Sequence, residues 1–154
     1  MTLHASPDLK TMSIYASWAK STIRYSDLDP NGHVNNGAIN AFFEDGRVCF
    51  RNDRMSELGD EILTGFALVK FTVEYLAPLY FPGSVDIGTV VTRIGGSSFS
   101  LGQGIFSDGK CVATAEVITV SFDPKSNRSQ QLTPELSVKL ILSDLPLIRK
   151  TEKN

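Results

Sequence analysis

The run of periodicities along the chain predicts an α+β fold: one strand, one long amphipathic helix, four strands and a short closing helix. Three observations carry this. Ile39, Phe42, Phe43, Gly46, Cys49 and Phe50 recur at spacings of three and four, which marks one apolar helix face. From Val69 the period falls to two, and Asp108-Gly109 then sits between alternating segments as a hairpin signal, because both central residues of that turn need positive φ. The 154 residues, 42% hydrophobic and 21% charged, suit a single domain whose core needs no metal or disulfide.

In chain order, residues 1–16 show little periodicity and read as an N-terminal extension, 17–145 as the domain and 146–154 as a polar tail. Trp18 to Tyr25 is rich in aromatic and β-branched types and stops at the turn cluster SDLDPNG, which predicts a strand. The helix is expected over Asn36 to Leu58, roughly 35 Å at 1.5 Å per residue, capped by Asn35 or Asn36 and stopped by Gly59. Val69, Phe71, Val73 and Tyr75 alternate with Lys70, Thr72 and Glu74, a strand with one buried face, and the prolines of APLYFPG bend or end it. Val85–Ile94, Phe99–Phe106 and Cys111–Phe122 complete four strands expected as one antiparallel meander. DPKSNRSQQ reads as a polar loop, and LTPELSVKLILSDL as a short helix with Pro near its start. One helix leaves sheet edges uncovered, so dimerisation through a strand edge is expected.

Composition removes several classes of function. A net charge of −2, from 15 Lys+Arg against 17 Asp+Glu, argues against nucleic acid as a partner. No stretch approaches the roughly 18 apolar residues of a membrane span, and the N-terminus lacks the features of a signal peptide, so a soluble, cytoplasmic protein is expected. Cys49 and Cys111 have no metal-ligand spacing and read as reduced packing residues.

The chemistry concentrates between the first strand and the helix, in RYSDLDPNGHVNN. One reading is turn chemistry alone, with Asn35 or Asn36 as a cap. A second is a calcium loop, since Asp27, Asp29, Asn31 and Gly32 match positions of the D-x-[DN]-x-[DN]-G pattern; the required terminal Glu falls on Ala38, and Pro30 interrupts the loop. A triad of Asp27, Asp29 and His33 makes an incomplete cage, so no metal is expected. A third is hydrolytic: a carboxylate at Asp29 precedes a helix whose first N–H groups have no internal partners and can polarise an acyl oxygen.

These residues also carry a family resemblance. TIRYSDLDPNGHVNN followed by AFFEDGRVCF resembles the 4-hydroxybenzoyl-CoA thioesterase group of hotdog-fold acyl-CoA thioesterases. VEYLAPLYFPGS and VITVSFDPKSNRSQQLTPEL resemble that group's second and last strands, so the likeness spans about residues 18 to 142. It implies a curved sheet of about five strands around one long central helix, a homodimer or homotetramer with sites at subunit interfaces, and an acyl-CoA or acyl carrier protein thioester as substrate. No cofactor is implied beyond the coenzyme A of the substrate. In the D-x-D-P-x-G branch the second Asp is catalytic, here Asp29, and the polarising helix-start amide falls on Asn36, with Gly37 beside it. His33 and Asn35 are candidate loop or substrate contacts. A second branch uses a helix carboxylate, for which Glu44 is the candidate. Ser84 stands where the family often has Asp. A non-catalytic module that holds an acyl thioester is the alternative function. The chemistry needs few groups: a thiol, with a reference pKa of about 8.5, leaves without strong acid assistance.

Overall fold

The computed structural model describes residues 7–59 and 64–144. After a 3-10 turn at Met12–Ile14 come β1 (Ser17–Ile23), a 3-10 turn at Tyr25–Asp27, and α1 (Asn36–Met55), which runs into a 3-10 turn at Ser56–Leu58. Then follow β2 (Phe66–Tyr75), β3 (Gly83–Ile94), β4 (Ser98–Ser107), β5 (Lys110–Asp123), the two-residue β6 (Arg128–Ser129) and α2 (Pro134–Ile141). The strands form an antiparallel sheet in the order β1-β3-β4-β5-β2, with β6 on the end of β5. This sheet curls around α1, the hotdog arrangement that the resemblance implies.

The core forms on the helix stripe. Ile39, Phe42 and Phe43 pack with Val85 and Ile87 of β3, Ile105 of β4 and Ala113 and Ala115 of β5. One to three turns later, Phe50 and Met55 meet Val91, Phe99 and Val117, and Leu136 and Leu140 of α2 close that end. Each such side chain contributes about 1.5–3 kcal/mol by leaving water, which holds α1 against the sheet far more firmly than helix propensity does. Two residues depart from the expected stripe. Cys49 lies at its margin and is exposed. Arg54 is buried, because its Nε donates to Ser17 Oγ (3.0 Å) and its Nη2 to the Ala16 carbonyl (3.2 Å), tying the last helical turn to the start of β1.

The four-strand meander is corrected. Only β3, β4 and β5 follow one another; β2 pairs with β5 and forms the far edge of the sheet. The proline-rich Ala77–Pro82 segment carries the chain away from β2, so its sequence neighbour β3 is not its spatial neighbour. The expected buried face of β2 is also corrected. A bulge between Leu68 and Lys70 leaves Val69 57% exposed, and Tyr75 is 43% exposed, whereas Phe71 and Val73 are partly buried against the core.

Gly102 and Gly104 face away from α1. A Cβ at Gly102 would strike Leu9, one at Gly104 would strike the Leu9 carbonyl and the Tyr15 hydroxyl, and one at Gly88 would strike the Tyr15 ring. These glycines therefore admit the N-terminal segment onto the outer sheet face, where the Tyr15 hydroxyl donates to the Leu9 carbonyl (2.6 Å). The polar tail 146–154 lies outside the described residues.

Candidate active site

The loop between β1 and α1 is built by successive closures. The Arg24 N–H donates to Asp27 Oδ2 (2.7 Å) and Arg24 Nη2 to Asp27 Oδ1 (3.0 Å), so the buried Asp27 braces the 3-10 turn. The Asp27 carbonyl then accepts from both the main-chain N–H (2.8 Å) and the Nδ2 (2.9 Å) of Asn35. Between these ends Leu28 pairs with Val34, whose N–H donates to the Leu79 carbonyl (2.8 Å) and anchors the loop to the β2–β3 connection.

Inside that clamp lies Asp29, half-buried. Its N–H donates to the His33 carbonyl (2.8 Å), and its carbonyl accepts from Gly32 N–H (3.0 Å). Oδ1 accepts from the N–H groups of Asn31 (2.8 Å) and His33 (3.3 Å). Oδ2 accepts from no described residue. One oxygen thus orients the carboxylate while the other stays open for a substrate or a water.

The helix begins where this loop ends. Asn35 is the N-cap: its Oδ1 accepts from the Ala38 N–H (2.7 Å), and its carbonyl accepts from Ile39 N–H (3.1 Å). The N–H groups of Asn36 and Gly37 have no partner among the described residues, and both residues are exposed. A long helix concentrates partial positive charge at such free N–H groups, which suits a developing oxyanion.

Asp27 cannot share a metal or a reaction with Asp29 without losing its own role. Burial pushes its carboxyl pKa up, but the Arg24 N–H and guanidinium together outweigh that and hold it below the usual carboxylate range. A depressed folded pKa adds stability that is present above the unfolded value and is lost as pH falls through the folded one. Asp27→Asn should therefore flatten the dependence of Tm on pH below about pH 4, measured by thermal melts across the acid range. Equal acid slopes for the two proteins would remove Asp27 as the acid-sensitive brace. Among the described residues no group of three or more His, Cys, Asp or Glu is placed to hold a metal ion.

Aromatic side chains that the sequence places at the end of the first strand and in the APLYFPG bend surround the loop. The His33 ring meets Tyr80 edge to face at 5.2 Å, and Tyr25 meets Phe81 at 5.8 Å. Tyr25, Tyr80 and Phe81 are all exposed. The signal available was two adjacent aromatics within a Pro-and-Gly turn.

Glu44 is not beside Asp29. It lies two turns along α1 from Asn36, about 12 Å by helical rise. There it is exposed and lines a cleft with Arg47 and Arg51. Arg47 stacks over the Phe71 ring at 5.0 Å and donates from Nη1 to Gln103 Oε1 (3.2 Å). Gln103 is fully buried, and its Nε2 reaches the Phe43 carbonyl (3.1 Å) and Thr89 Oγ1 (3.0 Å).

Comparison with known proteins bears on the family and the fold. A family model described as the thioesterase-like superfamily matches residues 23–140. The acyl-CoA thioester hydrolase YbgC of Escherichia coli is 29% identical over 115 residues, covering 71% of this chain and 84% of the relative. Among solved structures, a Thermus thermophilus thioesterase complexed with coenzyme A and Zn superposes with a TM-score of 0.77 at 22% identity, covering 86% of this chain and 98% of the other. A DHNA-CoA thioesterase of Staphylococcus aureus superposes with a TM-score of 0.72 at 18% identity, covering 80% and 87%. These two structural likenesses bear on the fold. No helix among the described residues is long and apolar enough to cross a membrane.

Proposed function

Because this chain belongs to the thioesterase-like superfamily, we propose that it hydrolyses the thioester of an acyl-CoA, with Asp29 as the catalytic carboxylate and the start of α1 as the polarising site. The observation that carries this is the pairing of a carboxylate held by one oxygen with a helix start whose first two N–H groups are free. The name of the YbgC relative supports coenzyme A as the carrier; acyl carrier protein offers the same thioester.

In this reading the thioester carbonyl oxygen lies against the N–H groups of Asn36 and Gly37, which draw electron density from the carbonyl carbon. Asp29 Oδ2 either takes a proton from an attacking water or attacks to form a mixed anhydride that water then opens. Either route breaks the carbon–sulfur bond, releases the thiolate, and consumes one water per acid and thiol formed. His33 holds Asp29 through its main chain, and its ring with Tyr80 borders the approach.

A dimer belongs to the proposal. The outer edge of β2 has no neighbour among the described strands, and Leu68, Val69, Tyr75 and Leu76 are exposed along or beside it. An open, apolar strand edge is a template for a second copy.

Thiol release from a panel of acyl-CoA esters, with acid and thiol formed in equal amounts, tests the proposal. Turnover is expected to persist after exhaustive chelation, since a carboxylate mechanism needs no divalent ion. Activity that disappears on chelation and returns with an added ion would replace it with a metal-activated water. Binding of the esters without any release would make the chain a thioester-holding module.

A further inference from the structure

The helix that begins the active site also carries a polar stripe. At 100° per residue Asn36, Asn40, Glu44, Arg47 and Arg51 fall within one 80° sector of α1. Two contacts orient that sector toward β2: the Tyr75 hydroxyl donates to Asn40 Oδ1 (2.7 Å), and Arg47 lies over Phe71. Beyond Asn40 the stripe enters a cleft of about 160 Å³, whose other walls are largely apolar, with Phe66, Leu68 and Leu101. Arg47 and Arg51 are both partly buried there, and neither has an ion-pair partner among the described residues. Glu44 shares the cleft without closing to an ion pair with either. Burial withdraws water from the Arg47 guanidinium and draws its pKa down. Glu44 is the one carboxylate lining the cleft and attracts Arg47, while Arg51 repels it, so two neighbouring cations share a single anion that closes on neither.

We propose that Arg47 and Arg51 recognise the far end of the acyl group, and that the enzyme prefers thioesters whose acyl chain ends in a carboxylate. The inference rests on the thioesterase reading. The rise from Asn36 to Arg47 is about 16 Å, and helical side chains lean toward the N-terminus, which brings the guanidinium within reach of a medium-length acyl chain held at the helix start. The apolar walls of the cleft suit methylene groups, and two guanidinium groups suit a carboxylate, which they can bind through paired N–H donors.

The test compares kcat/KM for chain-matched esters: adipyl-CoA with hexanoyl-CoA and sebacyl-CoA with decanoyl-CoA. The wild-type protein is expected to favour at least one dicarboxylic member by tenfold or more. Arg47→Met and Arg51→Met should each bring that ratio down toward one, a loss of roughly tenfold or more, the scale of a lost charge-assisted contact. General damage to the protein leaves the ratio unchanged, so the readout separates recognition from folding. Because the wild-type ratio and Arg51→Met do not depend on Arg47→Met folding, the proposal remains exposed to refutation. Wild-type ratios near one overturn it, as does a ratio that neither variant alters; the arginines would then meet coenzyme A phosphates, common to both esters, or a carboxylate of a second copy. If no ester is cleaved, the hydrolase reading fails separately, and the same ratios are taken from the dissociation constants of the esters.

Discussion

Asp29→Asn is expected to lower kcat for thiol release by about 10² to 10⁴, the range for loss of a general base, while the ester still binds. The substitution suits this loop because the amide oxygen of Asn can accept from the N–H groups of Asn31 and His33 as Oδ1 does, so the local closure survives. What disappears is the negative charge on the open oxygen. Asn36→Ala is the contrasting change. It retains the peptide N–H that would face the thioester oxygen in the proposed mechanism, and the N-cap is Asn35, so neither the dipole nor the cap is removed. Its effect should be far smaller than that of Asp29→Asn. Glu44→Gln tests the helix-carboxylate alternative. If Glu44→Gln abolishes release while Asp29→Asn stays near wild type, and both proteins remain folded, the catalytic role moves to Glu44. If neither matters, the hydrolase reading of the loop fails.

Paired charges on the β2 edge should have an effect of similar size. Val69→Asp with Leu76→Asp places two carboxylates along and beside an exposed apolar edge, where the folded single chain tolerates them because both positions already face water. Burial of either carboxylate against a second copy would cost several kcal/mol, so the double variant should sediment as a monomer. Its thioesterase activity is expected to drop by two orders of magnitude or more, because the stripe of α1 that bears Asn40, Glu44 and Arg47 runs alongside that edge and, in the proposed dimer, would be completed by the second copy. Circular dichroism unchanged from wild type separates dissociation from unfolding. A wild-type monomer that is active at assay concentration would refute the interfacial site.

Local signals were legible wherever short-range physics decided them. The Asp108-Gly109 hairpin has both residues at positive φ, 50° and 76°. The apolar stripe of α1 buries Ile39, Phe42, Phe43, Gly46 and Phe50, and Asn35 caps the helix. In the candidate loop, D-x-D-P-x-G drew attention to a carboxylate before a helix, but not to its partners. The division of labour between Asp27, spent on Arg24, and Asp29, with one free oxygen, depends on which backbone N–H groups the closed loop points at each carboxylate.

Sequence by itself therefore determined the element types, the helix face and the turn positions, because each follows from periodicity, capping and turn chemistry within a few residues, and its motifs carried the family resemblance. Strand order belonged to the tertiary structure: β2 crosses to the far side of β5, a choice made by how the curled sheet covers α1 and invisible to the alternation within any one strand. The burial of Arg54 and Gln103, the reception of Leu9 and Tyr15 by outer-face glycines, and the gathering of Tyr80 and His33 likewise join residues far apart in the chain. Such contacts are set by complementary shape and by the need to pair every buried polar group, and both conditions exist only once the whole chain has closed around the helix.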